Sequence, residues 1–257
     1  MKLGVCADPQ SGVVLAEAGF DFIELHVQNH LKTLEEDVEF AEELALIQAS
    51  PVPALAANCF LPGDLKVTGP EVDLNVLKDY VAVAFERASR AGIEVVVFGS
   101  GAARRIPDDF ARDVAWQQLV EFGRLIGPVA LQHGVTVVVE PLHQAECNVL
   151  TSLREAGEYV NTVAHPSVQL LVDSYHWMVD DNDCDAIVTY GHLLRHVHIA
   201  TRDSRVPPGF ELCDFGPFFR ALKQVGYDGT LSIEAKWDNL AAQAAKARVA
   251  LAGLVGA

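Results

Sequence analysis

The chain has 257 residues, enough to bury a large core either as two modest domains or as one α/β barrel. Half of it is hydrophobic, yet no apolar run reaches the length of a membrane span. Nineteen basic against 35 acidic residues give a net charge of −16, which leaves no basic face for nucleic acid and makes that partner class an expected absence.

In chain order, MKLGVCADP lacks the apolar core of a signal peptide and reads as a strand over 2–6 that starts at once. A helix over 12–18 ends at Gly19, and a second strand over 20–26 (FDFIELH) carries Glu24 and His26 near its end. Residues 34–48 have apolar positions at helical spacing among many Glu, an acidic outer helix. A third strand over 53–60 runs into FLPGDLKVTGP, whose Pro and Gly mark a long loop. Asp73 is placed to N-cap a helix over 74–91 that stops at Gly92. Strand 93–98 leads through GSGAARR to a helix over 110–133, with an interruption expected near Gly127-Pro128.

The alternation then repeats: strand 135–140, helix 152–164, strand 168–173, helix 185–192, strand 195–200. A Pro207-Pro208-Gly209 loop, helix 216–225, strand 230–235 and an Ala-rich helix 239–254 complete the chain. Eight strand-then-helix units without a composition break predict one (β/α)8 TIM barrel over 1–257. A doubly wound open sheet is the alternative, but CADPQSG after the first strand is not its glycine fingerprint.

In such a barrel the chemistry sits at the C-terminal ends of the strands. VTVVVE, VQLLVD, LRHVHI and TLSIE put Glu140, Asp173, His198 and Glu234 there, from four successive strands. Three carboxylates so close would repel one another and resist ionisation. A divalent cation resolves the conflict, and oxygens plus one nitrogen suit Mn²⁺, Mg²⁺, Co²⁺ or Zn²⁺. His196 points to the same face as His198, one layer deeper, and is expected to pack against or orient it. Glu146 and His176 come after the first two carboxylates in the loops above, and spacing alone leaves them at the site or on the surface. Gly99-Ser100-Gly101 with Arg104-Arg105 offers either a phosphate cradle or a tight turn with solvated arginines.

Cys6, Cys59, Cys147, Cys184 and Cys213 are scattered, odd in number and without a C-x-x-C pair, so a reduced, cytoplasmic protein is expected. Cys147 reads as a small core filler. Trp116, Trp177 and Trp237 read as core or as substrate contacts.

EPLHQAE, DSYH, HVHIA, RVPPG, DFGPFFRALKQVGYDG and SIEAKW together resemble the xylose-isomerase-like TIM-barrel sugar isomerases and epimerases, and among them the ketose 3-epimerases (D-tagatose or D-psicose 3-epimerase). The resemblance runs over the whole chain, most specifically over 135–237. It implies one divalent metal, Mn²⁺ first, held by Glu140, Asp173, His198 and Glu234, with Glu140 and Glu234 as the catalytic pair. It also implies substrate binding by Glu146, His176 and an arginine after the metal histidine, Arg205 with Arg202 as the alternative. The motif often reads E-P-L-N, and His143 stands here in place of the Asn.

The implied reaction is metal-dependent proton transfer next to a ketose carbonyl, through a cis-enediolate. Aldose–ketose isomerisation, of a sugar phosphate or a hydroxypyruvate-type substrate, is the second reading. A zinc endonuclease would need a His-rich cluster and a basic groove, and a non-catalytic sugar-binding barrel would not need the full ligand set. The expected partner is a small sugar or sugar phosphate, with no membrane, and the high apolar content favours a homo-oligomer.

Overall fold

The computed structural model describes residues 1–256. Eight parallel strands close into a barrel in sequence order. They are β1 (Lys2–Cys6), β2 (Phe22–His26), β3 (Ala54–Asn58), β4 (Val95–Phe98), β5 (Thr136–Val139), β6 (Val168–Asp173), β7 (Leu194–Ile199) and β8 (Thr230–Ile233). The outer helices are α1 (Gly12–Ala18), α2 (Asp37–Ala49), α3 (Leu74–Ala91), α4 (Arg112–Gln132), α5 (Leu153–Val163), α6 (Cys184–Tyr190), α7 (Gly216–Gln224) and α8 (Leu240–Gly256). The β8–β1 ladder, with Leu3 opposite Leu231, completes the closure and leaves no open edge. No helix among the described residues is long and apolar enough to cross a membrane.

Alternation along the strands decides what enters the barrel. Odd positions of β4 and β6 and even positions of β5 turn inward, where Val97, Val138 and Leu171 form a small apolar cluster of their own. The intervening residues, such as Val96, Val137 and Val172, join the larger core beneath the helices. The same alternation carries the inward face upward from Val138 to Glu140, from Leu171 to Asp173, from His196 to His198 and from Ser232 to Glu234. Ladder register sets Asp173 opposite His198 at one height. At the far end Phe22 fills the barrel, and a Cβ on the neighbouring Gly4 would lie 2.4 Å from its ring.

Local signals hold at most element ends. Asp73 caps α3, accepting from the N–H groups of Asn75 and Val76 at 2.9 and 3.3 Å. The interruption expected at Gly127-Pro128 is absent, and α4 runs unbroken through Pro128. Packing overrides the local penalty: α4 buries Leu119, Phe122, Ile126 and Ala130. Its glycines let α5 and the turn beyond it approach closely, since a Cβ at Gly123 would meet Tyr159 and one at Gly127 would meet His165. Residues 27–31 and 177–181 form wide π-type turns after β2 and β6. All five cysteines are free thiols, and Cys147 is buried as core.

Arg104 departs from both readings of the GSGAARR turn, while Arg105 is exposed as the tight-turn reading expects. The Arg104 side chain is fully buried, neither solvated nor open to a phosphate. It donates to the carbonyl oxygens of Phe98 (3.0 Å), Glu140 (2.7 Å) and Leu150 (3.3 Å), tying the end of β4 to the end of β5. Replacing it, as Arg104→Met, leaves the Glu140 carbonyl without its donor and takes one of two donors from the Phe98 and Leu150 carbonyls, which keep the N–H groups of Glu140 and Leu142. At ~1–3 kcal/mol per unpaired buried group, a loss of at least about 1 kcal/mol is expected in urea unfolding; unchanged stability would show that the clamp contributes nothing.

Candidate functional site

At the C-terminal mouth of the barrel lies a 320 Å³ cavity whose walls include Glu140, Glu146, His176, Arg205 and Glu234. Asp173 and His198 lie beneath it, essentially inaccessible. Glu140 and Glu234 are each the first residue after the last strand position, tethered through their own N–H groups to Phe98 and Ile199 carbonyls. Glu140, Asp173, His198 and Glu234 each bring one ligand atom to within 4.8 Å of the others.

His198 is held from both sides. Its Nδ1 faces the cluster, 3.1 Å from Glu140 Oε1 and 3.6 Å from Glu234 Oε2. Its Nε2 lies 2.9 Å from Glu24 Oε1, and the other oxygen of that carboxylate lies 2.8 Å from His196 Nε2. His196 is anchored in turn by the Thr230 hydroxyl at 2.7 Å. Glu24 therefore orients one candidate ligand, and His196 orients Glu24. Asn58 donates to Glu234 Oε1 at 3.0 Å from β3.

The loop after β7 supplies the cation. Arg205 Nη2 lies 2.5 Å from Glu234 Oε2 and 3.6 Å from Asp173 Oδ2, and Nη1 lies 3.5 Å from Glu146 Oε1. Its guanidinium also sits 4.5 Å from the Tyr175 ring centroid. The main chain of Arg205 takes a left-handed conformation (φ 53°) and is pinned by bonds to Thr201 and Lys236. Arg202, the alternative in that loop, turns away and donates to the Met178 carbonyl.

Burial and mutual repulsion set the proton affinities. Burial, then the charges of Glu234 and Glu140, push Asp173 up to about 7. Desolvation and the Glu140 charge raise Glu234 against the pull of His198 and Arg205. Glu140 is desolvated too, but the hydrogen bond and charge of His198 hold it below its ordinary value. His198 is raised well above the usual imidazole range because the surrounding carboxylates, Glu24 first, outweigh its burial. Burial takes His176 down to about 3, so its ring is neutral.

Whether a cation fits can be read from Asp173. Its Oδ1 accepts from the Tyr175 N–H at 2.9 Å, while its buried Oδ2 has no hydrogen-bond partner among the described residues. A fully buried carboxylate oxygen with no hydrogen bond, aimed at two further carboxylates and an imidazole nitrogen, has room for a cation beside the Arg205 guanidinium. Three oxygens and one nitrogen suit a borderline or hard divalent ion. Gly99 keeps room for this arrangement, because a Cβ there would lie 2.4 Å from Glu140 Oε2.

His143, standing where the motif often has Asn, does not line the cavity; it lies against His176, the rings stacked with centroids 5.0 Å apart. None of the three tryptophans is among the residues lining the cavity, and Trp177 packs on Phe218 instead. Glu24 and Asn58 are site residues that the sequence reading leaves out, and Gly99 makes room for the Glu140 carboxylate. The inward alternation of FIELH flags Glu24, whereas Asn58 becomes legible only once neighbouring strands are aligned.

The comparisons with known proteins agree with this architecture. A model of the xylose isomerase-like TIM barrel family matches residues 13–254. A 3-dehydro-D-guloside 4-epimerase of Escherichia coli K12 is 29% identical over 230 residues, 86% of this chain and 84% of that protein. A ketose 3-epimerase of Arthrobacter globiformis is 33% identical over 102 residues, covering 39% of this chain and 35% of that one. Among solved structures, a D-psicose 3-epimerase with D-tagatose from Clostridium cellulolyticum H10 matches in fold with a TM-score of 0.84 at 19% identity, over 99% of both chains. This chain belongs to the xylose isomerase-like TIM barrel family.

Proposed function

We propose that this enzyme epimerises an unphosphorylated ketose or keto-sugar derivative, by moving a proton at the carbon next to its carbonyl. That the chain is an isomerase-class enzyme follows from its relatives, a 3-dehydro-D-guloside 4-epimerase and a ketose 3-epimerase among them. The observation that carries the finer reading is the pairing of Glu140 and Glu234. Both flank one imidazole nitrogen on the cavity floor, yet their proton affinities are driven in opposite directions. Two carboxylates pushed apart in this way form an acid–base pair.

Glu140, Asp173, His198 and Glu234 would hold the divalent cation, with Mn²⁺ the expected ion and Mg²⁺, Co²⁺ or Zn²⁺ admitted by the same donors. When bound, such an ion supplies Lewis acidity that makes a carbon next to the sugar carbonyl easier to deprotonate. One of Glu140 and Glu234 takes that proton and leaves a cis-enediolate. The other gives a proton to the opposite face and inverts the centre. Exchange with solvent restores both carboxyl groups, and the reverse reaction exchanges their roles. Arg205 and His176 donate to the sugar oxygens and Glu146 accepts from a hydroxyl. With Arg104 committed to main-chain carbonyls, the phosphate cradle loses its buried cation, which supports a substrate without a phosphate.

The test is a panel of ketoses, aldoses and their phosphates, incubated in heavy water with Mn²⁺ or with chelator. A ketose is expected to gain carbon-bound deuterium at an inverted centre with Mn²⁺ and to lose that reaction with chelator. No exchange in any sugar would sink the proton-transfer reading, and an aldose product with no epimer would move it to aldose–ketose isomerisation. Glu140→Gln and Glu234→Gln are each expected to lower kcat by about 10²–10⁴-fold; full activity in both would refute the two-carboxylate scheme.

Orientation of His198 makes a separate prediction. Glu24→Gln keeps the shape but removes the charge that holds two imidazoles, so divalent-metal affinity is expected to fall about 10–100-fold. Competition against a fluorescent chelator measures it, and an unchanged affinity would mean that His198 does not depend on Glu24 for its orientation.

A further inference from the structure

The loop after β5 and the turn after β6 bring two imidazoles into contact. His143 Nδ1 lies 2.8 Å from His176 Nδ1. The main-chain N–H of His143 donates to that same His176 nitrogen at 3.2 Å. The second contact decides the first. A main-chain N–H is always a donor, so His176 Nδ1 is an acceptor and carries no proton. The single ring proton of His176 then sits on Nε2, and His143 Nδ1 is the protonated partner of the shorter contact.

The rest of the surroundings hold this pair in place. The rings stack at an interplanar angle of 23°. Tyr175 meets both edge-on, and Arg205 covers the Tyr175 ring. Glu146 Oε1 lies 3.6 Å from His143 Nδ1. His176 lines the cavity, and its Nε2, on the far side of the ring from His143, lies 3.6 Å from Asp173 Oδ2.

We propose that His143 is a positioning residue that locks His176 as its Nε2–H tautomer, so that His176 shows the cavity a neutral donor and the substrate must place an oxygen acceptor there. The inference rests on reading the cavity as a proton-transfer centre. A neutral imidazole N–H stabilises an oxygen that gains negative charge and does not need to give up its proton. The opposite tautomer would turn a lone pair toward that oxygen and replace attraction with repulsion. His143, His176 and Glu146 also offer ligand atoms within 4.8 Å of one another, as a second cation site would. The N–H already seated on His176 Nδ1 uses the lone pair such an ion needs, which favours the tautomer lock.

The test is long-range ¹H–¹⁵N correlation of the His176 ring in the whole protein, with Mg²⁺ and without metal, for wild type, His143→Leu and His143→Asn. Wild type is expected to carry the proton on Nε2 alone. His143→Leu leaves only the longer main-chain contact, so it should mix the tautomers. It should also lower kcat about 10–100-fold on a ketose the wild type accepts, with little change in KM. His143→Asn, whose amide can donate in place of the ring, should recover both. A wild-type proton on Nδ1, or a His143→Leu protein with tautomer and rate intact, overturns the proposal. So does a second equivalent of Zn²⁺ that the wild type binds and His143→Leu does not. If no sugar turns over, the spectrum still reports the tautomer, and only the functional reading fails.

Discussion

Everything at the mouth of this barrel answers one electrostatic problem, the burial of carboxylates that cannot all stay ionised side by side. Glu24, Glu140 and Asp173 are buried, and Glu234 is only partly exposed. In a medium of low polarity like charges a few ångströms apart cost several kcal/mol unless protons, cations or strong donors offset them. The chain uses all three. His198 sits between Glu24 and Glu140, Arg205 reaches Glu234, and Asp173 keeps a proton more readily than an ordinary aspartate does.

Strands and loops divide the task. The four groups that converge in the floor come from strand ends, where ladder bonds fix the main chain and alternation fixes the inward direction. Even the carbonyl of Glu140 is held, by the buried Arg104 guanidinium. The groups that line the wall, Glu146, His176 and Arg205, come from loops and turns. A metal tolerates little displacement of its ligands, whereas hydroxyl recognition tolerates side chains that adjust. Changes in the wall can therefore alter which sugar fits and leave the floor untouched, the separation that lets one barrel host many reactions.

Much of this was legible in the sequence for a specific reason. VTVVVE, VQLLVD and TLSIE each end an apolar strand in a carboxylate, and burying such a group without purpose is costly enough to be informative. Period-two alternation then told His198 from the outward Val197 and put His196 one layer below. What escaped depends on alignment between strands or on packing. Asn58 ends an unremarkable ALAAN, and its bond to Glu234 crosses the barrel between residues 176 apart. Arg104 looked like a phosphate ligand or a surface arginine because carbonyls from two other segments, its actual partners, are invisible along the chain. Pro128 looked like a break because a local penalty is written in the sequence and the α4–α5 packing that outweighs it is not.

Arg205 joins the two tiers, and its position limits what the site can do at once. The same guanidinium serves Glu234 and Asp173 in the floor and Glu146 in the wall. Its Nη2 cannot fully satisfy a substrate oxygen while it is the main positive charge opposing two floor carboxylates. Any cation that takes over the neutralisation of Glu234 and Asp173 lowers the demand on Arg205 and leaves its donors for the ligand. The same change removes the incentive for Asp173 to hold a proton, since a bound ion favours the carboxylate it touches. Charge balance in the floor and hydrogen bonding in the wall are thus one coupled equilibrium, with Arg205 as the group that both tiers share.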